Sequence, residues 1–204
     1  MWVEQPYNTE KQTCYFITLN TIDWVDVFIR PVYKQVVVHT LNHFIESKGL
    51  IVYSWCLMTN HLHLLVQSKP GVEIADLEYE YCQFTNQKIV EAIATEPVSR
   101  REWMLQHFRN NGVSMDCSVW QLNGNRVLIN LDDSARLAEY VEYIHENPVR
   151  DRFVDVSPEY LYSSARDYSV RKGLVQITKI PAVEQLLSLT EKFNNSFIVK
   201  HIRI

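Results

Sequence analysis

The sequence is poor in several features that mark large classes of protein. No apolar run is long enough to span a bilayer, and no secretory leader is recognisable. The four cysteines, Cys14, Cys56, Cys82 and Cys117, are scattered and form no CxxC pair. Cys14 and Cys56 fall in strand-like runs and read as small buried hydrophobes. A cytoplasmic protein with reduced thiols is therefore expected. The five glycines build no P-loop, no GxGxxG and no GxSxG, so nucleotide-cradling loops and nucleophile elbows drop out. Cationic excess is also missing, with 20 Lys and Arg against 24 Asp and Glu and a net charge of -4. Non-specific affinity for polyanions comes from clustered cations, so any nucleic-acid contact has to be local. No internal repeat or low-complexity segment is present.

What remains describes an ordinary folded chain. At 204 residues, 47% hydrophobic and 22% charged, it fits one domain with a substantial core. Eleven Tyr and five Trp supply large apolar surfaces with polar tips. Such side chains fill cores, and they also suit stacking against unpaired bases.

Thr13 to Leu19 alternates and is rich in β-formers, which predicts a first strand. Pro31 opens a helix to about Lys48, with Tyr33, Val37, Leu41 and Phe44 as its apolar stripe and Gly49 closing it. Leu50 to Leu57 and His61 to Gln67 read as a hairpin across Thr59-Asn60. After Lys69-Pro70-Gly71, a long helix is predicted from about Ile74 to Ala94 and a shorter one over Arg100 to Arg109. Asn110 to Ser118 reads as a loop, and Val119 to Leu131 as a hairpin around Asn123-Gly124-Asn125. Asp132-Asp133-Ser134 offers a cap for a last helix, which Pro148 is expected to stop at Asn147. The order β-α-β-β-α-β-α predicts an α+β, ferredoxin-like antiparallel sheet with packed helices.

Two features carry potential chemistry. In TNHLHLLVQ, the alternation of a strand puts His61 and His63 on one face. Two imidazoles so spaced can share a metal ion if a third ligand comes from elsewhere. They can equally be polar residues on the wet side of a half-exposed strand. In the last helix, Leu137, Tyr140, Val141 and Ile144 form a core-facing stripe. Tyr143 and Asn147, four apart, stack on its flank and place a phenol beside a carboxamide. An edge-of-core aromatic and a helix-ending polar residue account for them as well. His39 and His43 share a helix face but lack an HExxH carboxylate and read as solvated, and His145 is expected at the surface.

Together the features are more specific. CLMTNHLHLLVQ followed by YIHENPVR resembles the signature pair of the IS200-like single-tyrosine (HUH) transposases, closest to the REP-associated branch. YFITLNTIDWVDVF, QFTNQKIVEAI with SRREWML, and YLYSSARDY resemble that family's other segments in the same order, covering most of Tyr15 to Gly173. The resemblance implies that His61 and His63 are metal-binding histidines, that Tyr143 is the nucleophile, and that Asn147 supplies the third metal ligand. It implies Mg or Mn as cofactor and single-stranded DNA beside a short hairpin as substrate. A phenol, with a pKa of about 10, needs assistance to attack at neutral pH, which a divalent ion on the scissile phosphate supplies. The product expected is a 5'-phosphotyrosine bond with a free 3' hydroxyl.

The chain departs from the family pattern at Glu78 and Glu80, where basic residues are usual. It departs again in QLNGNRVLINL and in the tail from Phe193 to Ile204. Arg126, Arg150, Arg152 and Arg166 are candidate phosphate contacts. Residues 1–180 are expected to form the catalytic domain and 181–204 a C-terminal extension, in a monomer or homodimer. The competing reading is a domesticated protein that grips hairpin nucleic acid without cutting it. A third is a hydrolase using the histidine pair and water without Tyr143.

Overall fold

A computed structural model describes residues 13–97, 99–110, 118–121 and 126–189. Its strands are β1 (Thr13–Thr21), β2 (Leu50–Leu57), β3 (His61–Ser68), β4 (Trp120–Gln121) and β5 (Arg126–Asn130), and its longer helices are α1 (Pro31–Ser47), α2 (Ile74–Thr95), α3 (Arg101–Asn110) and α4 (Ser134–Arg150). Residues 181–189 are also helical, with Val183 fully buried. The antiparallel order is β2-β3-β1, with β4 and β5 both beside β1. This is the ferredoxin-like arrangement that the element order predicts. Cys14, Cys56 and Cys82 are buried free thiols, as their strand and helix positions require, while Cys117 lies outside the described residues.

Alternation divides the sheet residues between two layers. Ile17, Leu19, Leu64 and Val66 meet Leu41 and Phe44 of α1 and Leu77 and Tyr81 of α2. On the other face, Phe16, Thr18 and Asn20 of β1 lie opposite Leu65, His63 and His61 of β3. Helix α4 packs there, its Tyr140 ring 4.8 Å from that of Phe16. The outer edge of β2 is covered by the chain after α4. Leu57 N–H donates to Tyr162 O, the Tyr160 hydroxyl donates to Leu57 O, and Trp55 N–H donates to Ser164 Oγ. An edge so covered offers no template for another strand.

Two expectations need correction. Val119 to Leu131 does not fold back on itself among the described residues. Gln121 sits opposite Asn20 and Arg126 opposite Ile17, so β4 and β5 follow β1 in one direction. Asn123-Gly124-Asn125, where the turn was expected, lies outside the described residues. Helix α4 also continues through Pro148 to Arg150. So close to the C-terminal end, the proline removes one helical hydrogen bond, and Asp151 N–H still donates to Asn147 O. The N-terminal cap matches the expected acidic turn, since Arg136 N–H donates to Asp133 Oδ1.

Candidate active site

The site assembles where β1, β3 and α4 meet. His61 and His63 project from the same face of β3 with ring centroids 4.7 Å apart. The Tyr143 ring reaches over from α4, 5.4 Å from His63 and 5.9 Å from Phe16. Tyr143 is 40% exposed, whereas His63 and Asn147 are buried. Asn147, one turn after Tyr143, engages the His61 side chain. Arg150, a further turn on, sets its guanidinium 4.6 Å from the Tyr143 ring centroid. The three α4 residues therefore line one helix flank, as their spacing of four and three dictates.

Neighbours fix each imidazole. His61 Nδ1–H donates to Asn60 Oδ1 at 2.8 Å, which leaves Nε2 with its lone pair. His63 Nδ1 lies 2.8 Å from the Thr18 hydroxyl, across the ladder. Burial lowers the His61 pKa, against an opposing contribution from Asn147. Burial, then His61 and then Arg150 push His63 down to about 3. Both rings are thus held neutral at physiological pH, the form that binds a metal.

The donor set fits a divalent ion. Among the described residues no group of three His, Cys, Asp or Glu could hold a metal ion, so any third protein ligand beside the two histidines would be of another kind. Asn147 is the amide in contact with His61. Asn20, opposite His61 in register, has a buried Oδ1 without a hydrogen-bond partner, a second oxygen on the same face. Anchoring each histidine through Nδ1 is the kind of outer support that orients ligating imidazoles.

The candidate arginines separate. Arg150 belongs to the site. Arg126 pairs with the buried Glu78 at 2.5 Å, so the acidic residue in α2 serves an internal ion pair with β5. Glu80 pairs with Lys48 on the surface. Arg166 donates to the carbonyls of Lys172 and Pro158. Arg152 is exposed, with a left-handed φ of 60° just past α4. His39 and His43 are exposed on α1, as the absence of a carboxylate partner between them implies.

His145 is not at the surface. It is 6% exposed, and its Nε2 lies 2.8 Å from Ser164 Oγ and 3.1 Å from Ser54 Oγ. The signal was present in the helix itself: His145 follows Val141 by four residues and so extends the buried stripe of Leu137, Val141 and Ile144. Thr18, Asn20, Asn60 and Phe16 were also missed as neighbours of the site. The alternation of β1 places Phe16, Thr18 and Asn20 on one face, but only the strand order brings that face to the histidines. A cleft of about 570 Å³ elsewhere, lined by Glu142, Glu146 and Glu184, presents carboxylates that would repel phosphate.

A sheet bearing a histidine pair, approached by a tyrosine helix, defines a class that comparison with known proteins makes specific. The family model described as "Transposase IS200 like" matches residues 11–147, well over half of the chain. The chain belongs to the IS200-like transposase family. It is 28% identical over 144 residues to a Haemophilus influenzae protein assigned to the REP-associated tyrosine transposases, covering 70% of this chain and 69% of that one. A solved REP-associated tyrosine transposase, bound to a REP hairpin, shares the fold with a TM-score of 0.54 and 14% identity, over 89% of this chain and 96% of that one.

Proposed function

We propose that the protein is a metal-dependent tyrosine transposase of the REP-associated kind, cutting and rejoining single-stranded DNA next to a hairpin. The observation that carries this reading is the convergence of an exposed Tyr143 ring on the pair of a buried His63 and a half-buried His61, with Arg150 against the phenol. Hairpin DNA as substrate draws support from the fold shared with a relative that holds one.

In this reading the Tyr143 oxygen attacks the scissile phosphorus. A new O–P bond forms to the 5' side, the phenolic proton is lost, and the departing 3' oxygen takes up a proton to become a hydroxyl. A 3' hydroxyl can later attack the phosphotyrosine, release Tyr143 and reseal a strand, because the bond energy is conserved. His61, His63 and Asn147 would hold Mg or Mn. Bound there, the ion would polarise the phosphate and offset charge building on its oxygens. Arg150 supports the phenol ring and adds a cation where the phosphate arrives. The described residues include no helix long and apolar enough to cross a membrane.

The test uses labelled hairpin DNA with an unpaired arm, incubated with the protein and Mn or Mg and then denatured. A covalent protein–DNA band that vanishes in Tyr143→Phe supports the reading. Cleavage that persists in Tyr143→Phe would point instead to water as nucleophile, and binding without any adduct to a non-cutting hairpin binder.

A further inference from the structure

Beside the proposed chemistry lies a surface that the catalytic set does not use. Directly after β1 the chain turns through two consecutive non-glycine residues in the left-handed region, Asp23 at φ 50° and Trp24 at φ 55°. Such backbone is costly for side-chain-bearing residues and persists only where the surroundings hold it. Here they do. Thr21 N–H donates to Asn60 O at 2.8 Å, the Thr21 hydroxyl donates to Val25 O at 2.8 Å, and Phe28 N–H donates to Thr59 O at 2.8 Å. The loop is thereby stitched to the β2–β3 turn that leads into His61. Its effect is to present an indole that is 57% exposed, 6.0 Å from the His61 ring.

The surface continues away from the site. Asp23 pairs with His107 of α3 at 3.1 Å. The His107 ring stacks on Trp103, with centroids 5.1 Å apart and planes 17° from parallel. Trp103 is 48% exposed and carries Arg100 at 5.0 Å from its ring. Two exposed indoles, one beside the histidine pair and one beside an arginine, thus lie on a connected path. Burial explains neither, and a protein of net charge -4 cannot rely on general attraction to hold a strand. Stacking can, since every base has a π-face and an arginine beside the ring adds a cation.

We propose that Trp24 and Trp103 form a stacking platform for unpaired bases, so that the strand leaving the cleaved phosphate runs over the loop after β1 towards α3. This deepens the proposed function and rests on it for the location of the phosphate. Trp24 takes the base next to the scissile bond, and Trp103 with Arg100 takes a later one.

The test measures binding without added metal, so that it does not depend on cleavage. The probes are a blunt DNA hairpin and the same hairpin with an unpaired oligothymidine arm, followed by fluorescence anisotropy. Wild type should favour the armed hairpin. Trp24→Ala should weaken that complex about tenfold and Trp103→Ala by a lesser factor, consistent with loss of single base–aromatic stacks. Trp24→Phe should retain most of the affinity, and none of the three should alter binding of the blunt hairpin. An abasic residue in the arm nearest the duplex should weaken wild type but add little to Trp24→Ala. Equal affinity of wild type for the two probes overturns the proposal. So does an unchanged Trp24→Ala, or equal losses in the Phe and Ala variants. An armed-hairpin preference that depends on Trp24, in a protein that forms no adduct, would preserve the platform and remove the nuclease. An adduct with no dependence on Trp24 would do the reverse.

Discussion

His63 and His145 look alike by the usual marks of a functional histidine. Both are nearly enclosed, both contact a hydroxyl, and both are pushed down to about 3, mainly by burial. Their neighbours differ. His145 directs Nε2 at two serines that also bond each other at 3.0 Å, and Ser164 is tied to the β2 backbone. His145 Nε2 and both serine hydroxyls thus have protein partners, and the cluster fastens α4 and the segment after it to the sheet. His63 is anchored through Nδ1 alone and stands beside a second imidazole and a half-exposed phenol. Depressed basicity therefore reports enclosure. Chemistry is indicated by convergence on a spot that solvent and substrate can reach.

Breaking each histidine in turn should separate the two roles. His63→Gln is expected to reduce adduct formation at least about a hundredfold, measured as band intensity against time, with a weakened response to Mn. His145→Ala should instead keep adduct formation well below its Tm while losing about 2 kcal/mol of stability in urea unfolding, because it opens a gap and removes a buried hydrogen-bond partner.

The shared property makes a second, opposite test. Each histidine is depressed in the folded protein relative to about 6.5 in the unfolded chain, so the unfolded state binds more protons between those values. Stability from this source is present above about pH 6.5 and is lost as pH falls towards 3. Between pH 7 and 5 the loss is about 2 kcal/mol per histidine in the metal-free protein. Urea titrations at the two pH values should show His63→Gln and His145→Gln each reducing the pH sensitivity by a similar amount, although only the first impairs cleavage. The smallest expected effect comes from Thr18→Val, which removes the partner of His63 Nδ1. It should weaken Mn affinity about tenfold, by calorimetry, with little change in stability.

The same contrast explains what was legible in the sequence. The strand period aligned His61 with His63, and the helix period aligned Tyr143 with Asn147. Both are local rules, and both hold in the structure. The ferredoxin-like order followed from the succession of elements. Apart from the burial of His145, which its own helix stripe signals, what escaped depends on distant partners. Ser54 and Ser164 lie 91 and 19 residues from His145, and Thr18 lies 45 residues from His63. Glu78 appeared to be a lost phosphate contact because its partner Arg126 is 48 residues away on β5. Trp24 could not be recognised from composition, since its exposure arises from left-handed backbone held by the β2–β3 turn.

The most direct test is to digest the covalent protein–DNA product and locate the nucleotide by mass spectrometry. The proposed function predicts a phosphodiester on the Tyr143 peptide, with the 5' end of the cut strand attached and the 3' end free. A nucleotide on another side chain, or on the 3' side of the break, would contradict the claim that α4 delivers the nucleophile to the histidine pair.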